Sequence, residues 1–217
     1  MNVQKIIFDL DGTLVNTNNG IAYACNYVLD QHGFPTHPAE SYRNFVGYGL
    51  KKTILNALPH HITTTISEEI LSQYEQELVL FYEDHPLEDT HLYDGILDLL
   101  FEIQKRNISF AIHTNKKESI ASSISKHFFS TFGHIDLIGQ SARFPNKPDP
   151  SGTLHLIQNT PLQNVLFIGD TEVDADTAKN AGIPILLATW GFRSKAFLES
   201  LDCPLVHHPM DILDQFL

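Results

Sequence analysis

A chain of 217 residues has room for one large domain, or for a core with a small insertion, and can bury a substantial hydrophobic core. Its 26 acidic against 14 basic side chains leave a formal net charge of −12 with no Lys/Arg cluster, which argues against nucleic acid or an anionic membrane as the main partner. Cys25 and Cys203 form neither a zinc spacing nor a redox pair, and no apolar run approaches membrane-spanning length, so a soluble cytoplasmic protein with free thiols is the expectation.

The first element is a strand. Ile6-Ile7-Phe8 is apolar without alternation, the pattern of a strand buried on both faces of a parallel sheet, and it stops at Asp9-Leu10-Asp11-Gly12-Thr13. Ligands of open parallel sheets sit beyond the carboxyl ends of the strands, which places Asp9 at the active edge, and a turn at Gly12 brings Asp11 to the same place. A polar opening follows, in which Thr17 or Asn18 caps a helix running to about His32 and closed by Gly33. Further helical stretches cover 38–45, 50–58 and 67–82, with no strand across 16–88. Past a polar connector at 87–93, residues 94–106 read as an amphipathic helix with Ile96, Leu99, Leu100 and Ile103 on one face. Strands at 109–113, 136–138, 164–169, 184–188 and 204–206 then alternate with helices at 116–128, 150–158 and 172–180, the last ended by Gly182. Such alternation implies βαβ units, so the expected class is α/β: a parallel sheet covered by helices, with an all-helical block inserted after strand one.

The strands that matter end in polar residues, each with an ordinary structural explanation beside the chemical one. Asp-x-Asp-Gly is a common turn, but a calcium loop is excluded, because Leu14 and Gly20 stand where it needs glycine and glutamate. Thr114 and Asn115 precede a helix, whose free N–H groups suit a phosphate, although Thr and Asn are also ordinary caps. Lys147, held between Asn146 and Pro148-Asp149-Pro150, is a stiffly presented cation or simply a solvated loop lysine. Asp170 sits at a strand tip, and Asp174 lies one helical turn on, where Thr171-x-x-Asp174 also resembles a capping box. Glu172 and Asp176 face elsewhere as surface acids of the first turn. Taken together these explanations stop being independent: carboxylates at one edge repel by as much as about 4 kcal/mol per close pair at an intermediate dielectric. Lys147 offsets one charge, and a hard divalent ion, Mg²⁺, offsets most of the rest. An acid nucleophile, a proton-handling acid, Mg²⁺, a hydroxyl and a lysine are the parts of phosphoryl transfer.

Asp9-Leu10-Asp11-Gly12-Thr13, Thr114-Asn115-Lys116, Lys147-Pro148 and Gly169-Asp170-x-x-x-Asp174 resemble the four ordered motifs of the haloacid dehalogenase-like hydrolase superfamily. The resemblance spans the core and implies a Rossmann-like doubly wound parallel sheet, residues 1–15 and 89–217, with a C1-type helical cap at 16–88. It implies that Asp9 attacks phosphorus and that Asp11 protonates the leaving oxygen and then activates water. Thr114 and the Asn115 backbone N–H would hold the phosphoryl oxygens, and Lys147 would orient Asp9 and neutralise phosphate. Mg²⁺ would be held by Asp9, Asp170, the Asp11 carbonyl, and Asp174 directly or through water. Leu14-Val15-Asn16-Thr17, the loop Phe45 to Leu50, Tyr93-Asp94-Gly95 and Thr189 to Arg193 are similar to phosphoglycolate phosphatase-like members, with Asn16 and Asp94 as departures. The expectation is a Mg²⁺-dependent phosphatase of a small phosphorylated metabolite, 2-phosphoglycolate first, with Arg43, Lys51 or Lys52 at the substrate's far end. A phosphosugar mutase shares all four motifs, and a non-catalytic phospho-receiver shares most of the residues but has no use for Asp11 or a cap.

Overall fold

A computed structural model describes residues 2–215. Strand β1 (Lys5–Phe8) runs through the centre of the sheet, and the chain then leaves by β2 (Val15–Asn16). Five helices follow without a strand: α1 (Asn18–Gln31), α2 (Ala39–Tyr42), α3 (Leu50–Ala57), α4 (His60–Thr63) and α5 (Glu68–Asp84). The chain returns by β3 (His91–Leu92), which pairs antiparallel with β2, Val15 facing Leu92 and Asn16 facing His91. This two-residue ribbon ties together the two stems of the helical segment.

From there strands and helices alternate: α6 (Ile96–Lys105), β4 (Ser109–Lys117), α7 (Glu118–Phe129), β5 (Leu137–Gln140), α8 (Ser151–Ile157), β6 (Val165–Gly169) and α9 (Glu172–Ala181). The chain closes with β7 (Ile185–Ala188), α10 (Lys195–Glu199), β8 (Leu205–Val206) and α11 (Asp211–Gln215). Six strands form one parallel sheet in the order β5-β4-β1-β6-β7-β8. Strand order reverses at β1, so the switch point of this doubly wound sheet lies between β1 and β6, where ligands of open α/β sheets bind.

Both faces of the sheet are covered, and successive strand residues serve opposite layers. Ile6, Phe8, Ile112 and Ile168 belong to one apolar core, while Ile7, Ala111, Val165 and Phe167 belong to the other. The apolar stripe of α6, Ile96, Leu99, Leu100 and Ile103, is fully buried, which contributes about 1.5–3 kcal/mol per large side chain relative to exposure. Among the described residues, no helix is long and apolar enough to cross a membrane.

Two local readings change. The second core strand does not stop at His113: β4 continues to Lys117, where it pairs with Gln140 after a register shift, and α7 starts only at Glu118. Thr114 and Asn115 are therefore strand residues and not residues at a helix N-terminus. The reading of 38–45 as a helix shrinks to Ala39–Tyr42.

Candidate active site

The register of the sheet places the acids. Phe8 pairs with Ile168 across β1 and β6, so the next residues, Asp9 on one strand and Gly169-Asp170 on the other, emerge side by side. The chain then turns at once, as the Leu10 carbonyl accepts from the N–H groups of Thr13, Leu14 and Val15. Gly12 makes this turn at φ +82°, and a Cβ there would lie 2.3 Å from Asp170 Oδ2, so both the backbone conformation and the close approach require glycine. Asp170 is fully buried: Thr13 Oγ1 donates to its Oδ1 at 3.1 Å and the Phe192 N–H to its Oδ2 at 2.7 Å.

Asp174 closes the cluster from α9, and both of its carboxylate oxygens are committed. Oδ2 accepts from Thr171 Oγ1 at 2.7 Å and from the N–H groups of Thr171 and Asp170 at 3.0 and 3.1 Å, which completes the capping box. Oδ1 accepts from Lys147 Nζ at 2.6 Å. The same ammonium lies 3.0 Å from Asp9 Oδ1, yet this ion pair lacks hydrogen-bond alignment, and Asp9 Oδ1 is left buried without a donor. Burial raises the Asp9 carboxyl to about 7, with Lys147 opposing and Asp174 and Asp11 assisting. Burial also drives Asp170 well above the carboxylate range, helped by the charges of Asp174 and Asp9. Burial works against the Lys147 ammonium, but Asp174 and Asp9 outweigh it and hold the proton more firmly than usual.

One oxygen each from Asp9, Asp170 and Asp174 lie within 4.8 Å of one another. A buried all-carboxylate donor set, in which Asp9 Oδ1 accepts no hydrogen bond and faces Lys147 alone, fits a hard divalent cation such as Mg²⁺.

Asp9, Asp11, Thr114, Asn115 and Lys147 line one cavity, while Asp170 and Asp174 are fully buried and do not line it. The Asn115 side chain acts as a brace. Its Oδ1 accepts from the Lys147 N–H at 2.7 Å, and its Nδ2 donates to the carbonyls of Lys147 at 2.9 Å and Gly47 at 3.0 Å. Thr17 stands at the N-cap position of α1 but makes no side-chain cap bond; its hydroxyl donates to Asp11 Oδ1 at 2.7 Å. The opposite wall comes from the helical segment through Ile21, Val46, Gly47, Gly49, Leu50 and Thr53. None of Arg43, Lys51 and Lys52 lines the cavity, and Lys51 is paired with Glu68 and Ser72.

Two cations carry more of the site than their local sequence suggests. Lys116 is a buried strand residue whose Nζ donates to Asp11 Oδ1 at 3.0 Å, to Asp11 Oδ2 at 3.3 Å and to the Tyr82 hydroxyl on α5 at 2.8 Å. In the sequence Lys116 belongs to the Thr114-Asn115-Lys116 motif and to the start of a helix but carries no role in the site; the available signal is Thr114-x-Lys116, which shares a strand face. Arg193 pairs with Glu172, which is thereby not a free surface acid.

The fold and this strand edge define an α/β protein with a buried cluster of acids at the carboxyl ends of its strands. Within that class the chain belongs to the haloacid dehalogenase-like hydrolase family, whose model matches residues 6–188. The phosphoglycolate phosphatase of Rhodobacter capsulatus is 31% identical over 212 residues, covering 96% of this chain and 94% of that protein. That of Vibrio cholerae is 31% identical over 201 residues, covering 88% and 86%. A haloacid dehalogenase-like family hydrolase from Streptococcus pneumoniae superimposes with a TM-score of 0.85 at 28% identity, over 100% of this chain and 99% of that one. A Lactobacillus delbrueckii structure shares the fold with a TM-score of 0.91 at 24% identity.

Proposed function

We propose that the chain is a Mg²⁺-dependent phosphomonoesterase of a small phosphorylated metabolite, with 2-phosphoglycolate the first candidate, working in the cytoplasm through an aspartyl phosphate on Asp9. The observation that carries this reading is the buried Asp9 carboxylate, which opens onto a cavity that it shares with Asp11, Thr114 and Lys147. The substrate candidate is supported by the phosphoglycolate phosphatases of R. capsulatus and V. cholerae, each 31% identical to this chain.

An Asp9 oxygen attacks phosphorus, the bond to the ester oxygen breaks, and Asp11 gives that oxygen its proton. Asp11 then takes a proton from water, whose oxygen attacks phosphorus; the Asp9–phosphorus bond breaks and phosphate leaves. Thr114 and the Asn115 N–H hold the transferring oxygens, and Lys147 orients Asp9 and offsets negative charge. Asp9, Asp170, the Asp11 carbonyl, and Asp174 directly or through water would hold Mg²⁺, which would supply the remaining positive charge. The helical segment acts as a cap at 16–88 over a core of 1–15 and 89–217, excluding water while the phosphoryl group moves.

Phosphate release from a panel of phosphorylated metabolites, with Mg²⁺ and with chelator, tests the reading. Asp9→Asn should abolish turnover and keep the circular dichroism and melting curve of a folded protein. A folded Asp9→Asn variant with wild-type release would overturn it, and isomerisation without free phosphate would point to the mutase.

A further inference from the structure

Arg193 joins two parts of the chain that the cavity needs together. It follows Gly191 and Phe192, the residues packed on Asp170. Its guanidinium makes four hydrogen bonds at once. Nε and Nη2 donate to the Glu172 carboxylate at 2.8 and 2.9 Å. Nη1 donates to the Arg43 carbonyl at 2.6 Å, and Nη2 also donates to the Val46 carbonyl at 2.9 Å.

The two ends of this contact differ in backbone setting. Glu172 is the first residue of α9, the helix whose capping box contains Asp174, so the anchor is set by the same turn that sets the acid cluster. The held end is the connection between α2 and α3, where Gly47 at φ +125° and Gly49 at φ +86° permit backbone conformations that other residues resist. Val46 and Gly47 of this loop wall the cavity that contains Asp9. Burial works to raise the Glu172 carboxyl, but its hydrogen bonds from Arg193 outweigh it and leave it below the usual carboxylate range.

We propose that Arg193 is a positioning residue, a latch that holds loop 43–49 over the cavity, with Glu172 fixing the guanidinium. A planar fork reaches a carboxylate and two carbonyls together, which a lysine ammonium does not. When the loop lifts, water replaces Arg193 at both carbonyls and the Asn115 amide at the Gly47 carbonyl, so the contacts are reversible and loss of the latch shifts a population instead of unfolding the sheet. The consequence for turnover rests on the phosphatase reading above; the latch itself does not.

Two measurements separate them. In wild type, Arg193→Gln, Arg193→Lys and Glu172→Gln, amide hydrogen exchange is followed without substrate, and steady-state release from 2-phosphoglycolate and p-nitrophenyl phosphate is measured with Mg²⁺. Losing charge-assisted bonds to two carbonyls should speed exchange within 43–49 by about tenfold or more in Arg193→Gln, with exchange in β1 and β4 unchanged. Arg193→Lys and Glu172→Gln should fall between this variant and wild type. KM should rise only in the proportion by which the closed population falls, so it moves clearly where the open form comes to dominate, while kcat falls far less. Unchanged exchange of 43–49 in Arg193→Gln and Glu172→Gln, or exchange raised equally in the central strands, would overturn the latch. If Arg193→Gln does not fold, Glu172→Gln decides by the same exchange criterion. If wild type hydrolyses neither ester, the phosphatase reading fails for them and the exchange result still decides the latch.

Discussion

Replacing Lys147 by methionine removes a positive charge from among three carboxylates and keeps most of the side chain's volume. In the native protein Nζ lies 2.6 Å from Asp174 Oδ1 and 3.0 Å from Asp9 Oδ1, with the Lys147 and Asp174 side chains 2% and 0% exposed. Solvent therefore screens the contact little, and a rim-type pair of negligible worth is the wrong comparison. Removing one partner of a buried ion pair costs about 3–5 kcal/mol, and the lower end applies here because a stranded acid can neutralise itself by taking up a proton. Urea unfolding of Lys147→Met at pH 8 in chelator should thus show a loss of about 3 kcal/mol relative to wild type. With the proposed Mg²⁺ site in this cluster, the ion should return more stability to the variant than to wild type, since it would meet one cation fewer there. A loss under about 1 kcal/mol, the range of an exposed pair, would refute Lys147 as the counter-charge of the cluster, as would equal Mg²⁺ stabilisation of both proteins.

His113 should shape the acid limb of stability. Burial, with Lys147 assisting and Asp149 opposing, lowers its imidazole from an ordinary 6.5 to about 3, while Nδ1 meets Thr153 Oγ1 at 2.8 Å. Below pH 6.5 the unfolded chain takes up a proton that the native protein refuses, so stability is lost as pH falls towards 3, by about 2 kcal/mol at pH 5. His113→Asn, which cannot titrate, should flatten that limb in denaturant titrations from pH 7 to pH 4; parallel curves for variant and wild type would contradict the assignment. Lys116→Met should strip Asp11 and Tyr82 of their shared donor, costing about 3 kcal/mol by urea unfolding and lowering kcat more than it changes KM.

Much of the architecture was legible because parallel strands covered on both faces must be apolar throughout. Ile6-Ile7-Phe8 and Val165 to Gly169 carry that signature in a few residues, and the polar residues at their ends had to lie at the switch edge. The α6 stripe and the Gly182 stop of α9 followed from helical period and C-cap geometry. The polar end of β4 was not legible. Thr114-Asn115-Lys116-Lys117 has local preferences for a cap and a helix start, and only pairing with β5, at Lys117 and Gln140, makes it strand. The β2–β3 ribbon has two residues per strand, too short for any period to register, and its halves are far apart in the chain.

By itself the amino-acid order determined which strands are buried, which acids stand at their tips, and that a helical segment interrupts the sheet after β1. Those properties depend on local hydrophobic pattern and turn chemistry, which neighbouring residues suffice to specify. Only the tertiary structure decided that Lys116 and Arg193 are structural partners of the site. Lys116 meets Asp11 across 105 residues and Tyr82 across 34, while Arg193 reaches the carbonyls of Arg43 and Val46 across 150 and 147. A lysine or arginine in a polar stretch is solvated unless distant oxygens arrive to replace its water, and where those oxygens come from is a property of the folded chain.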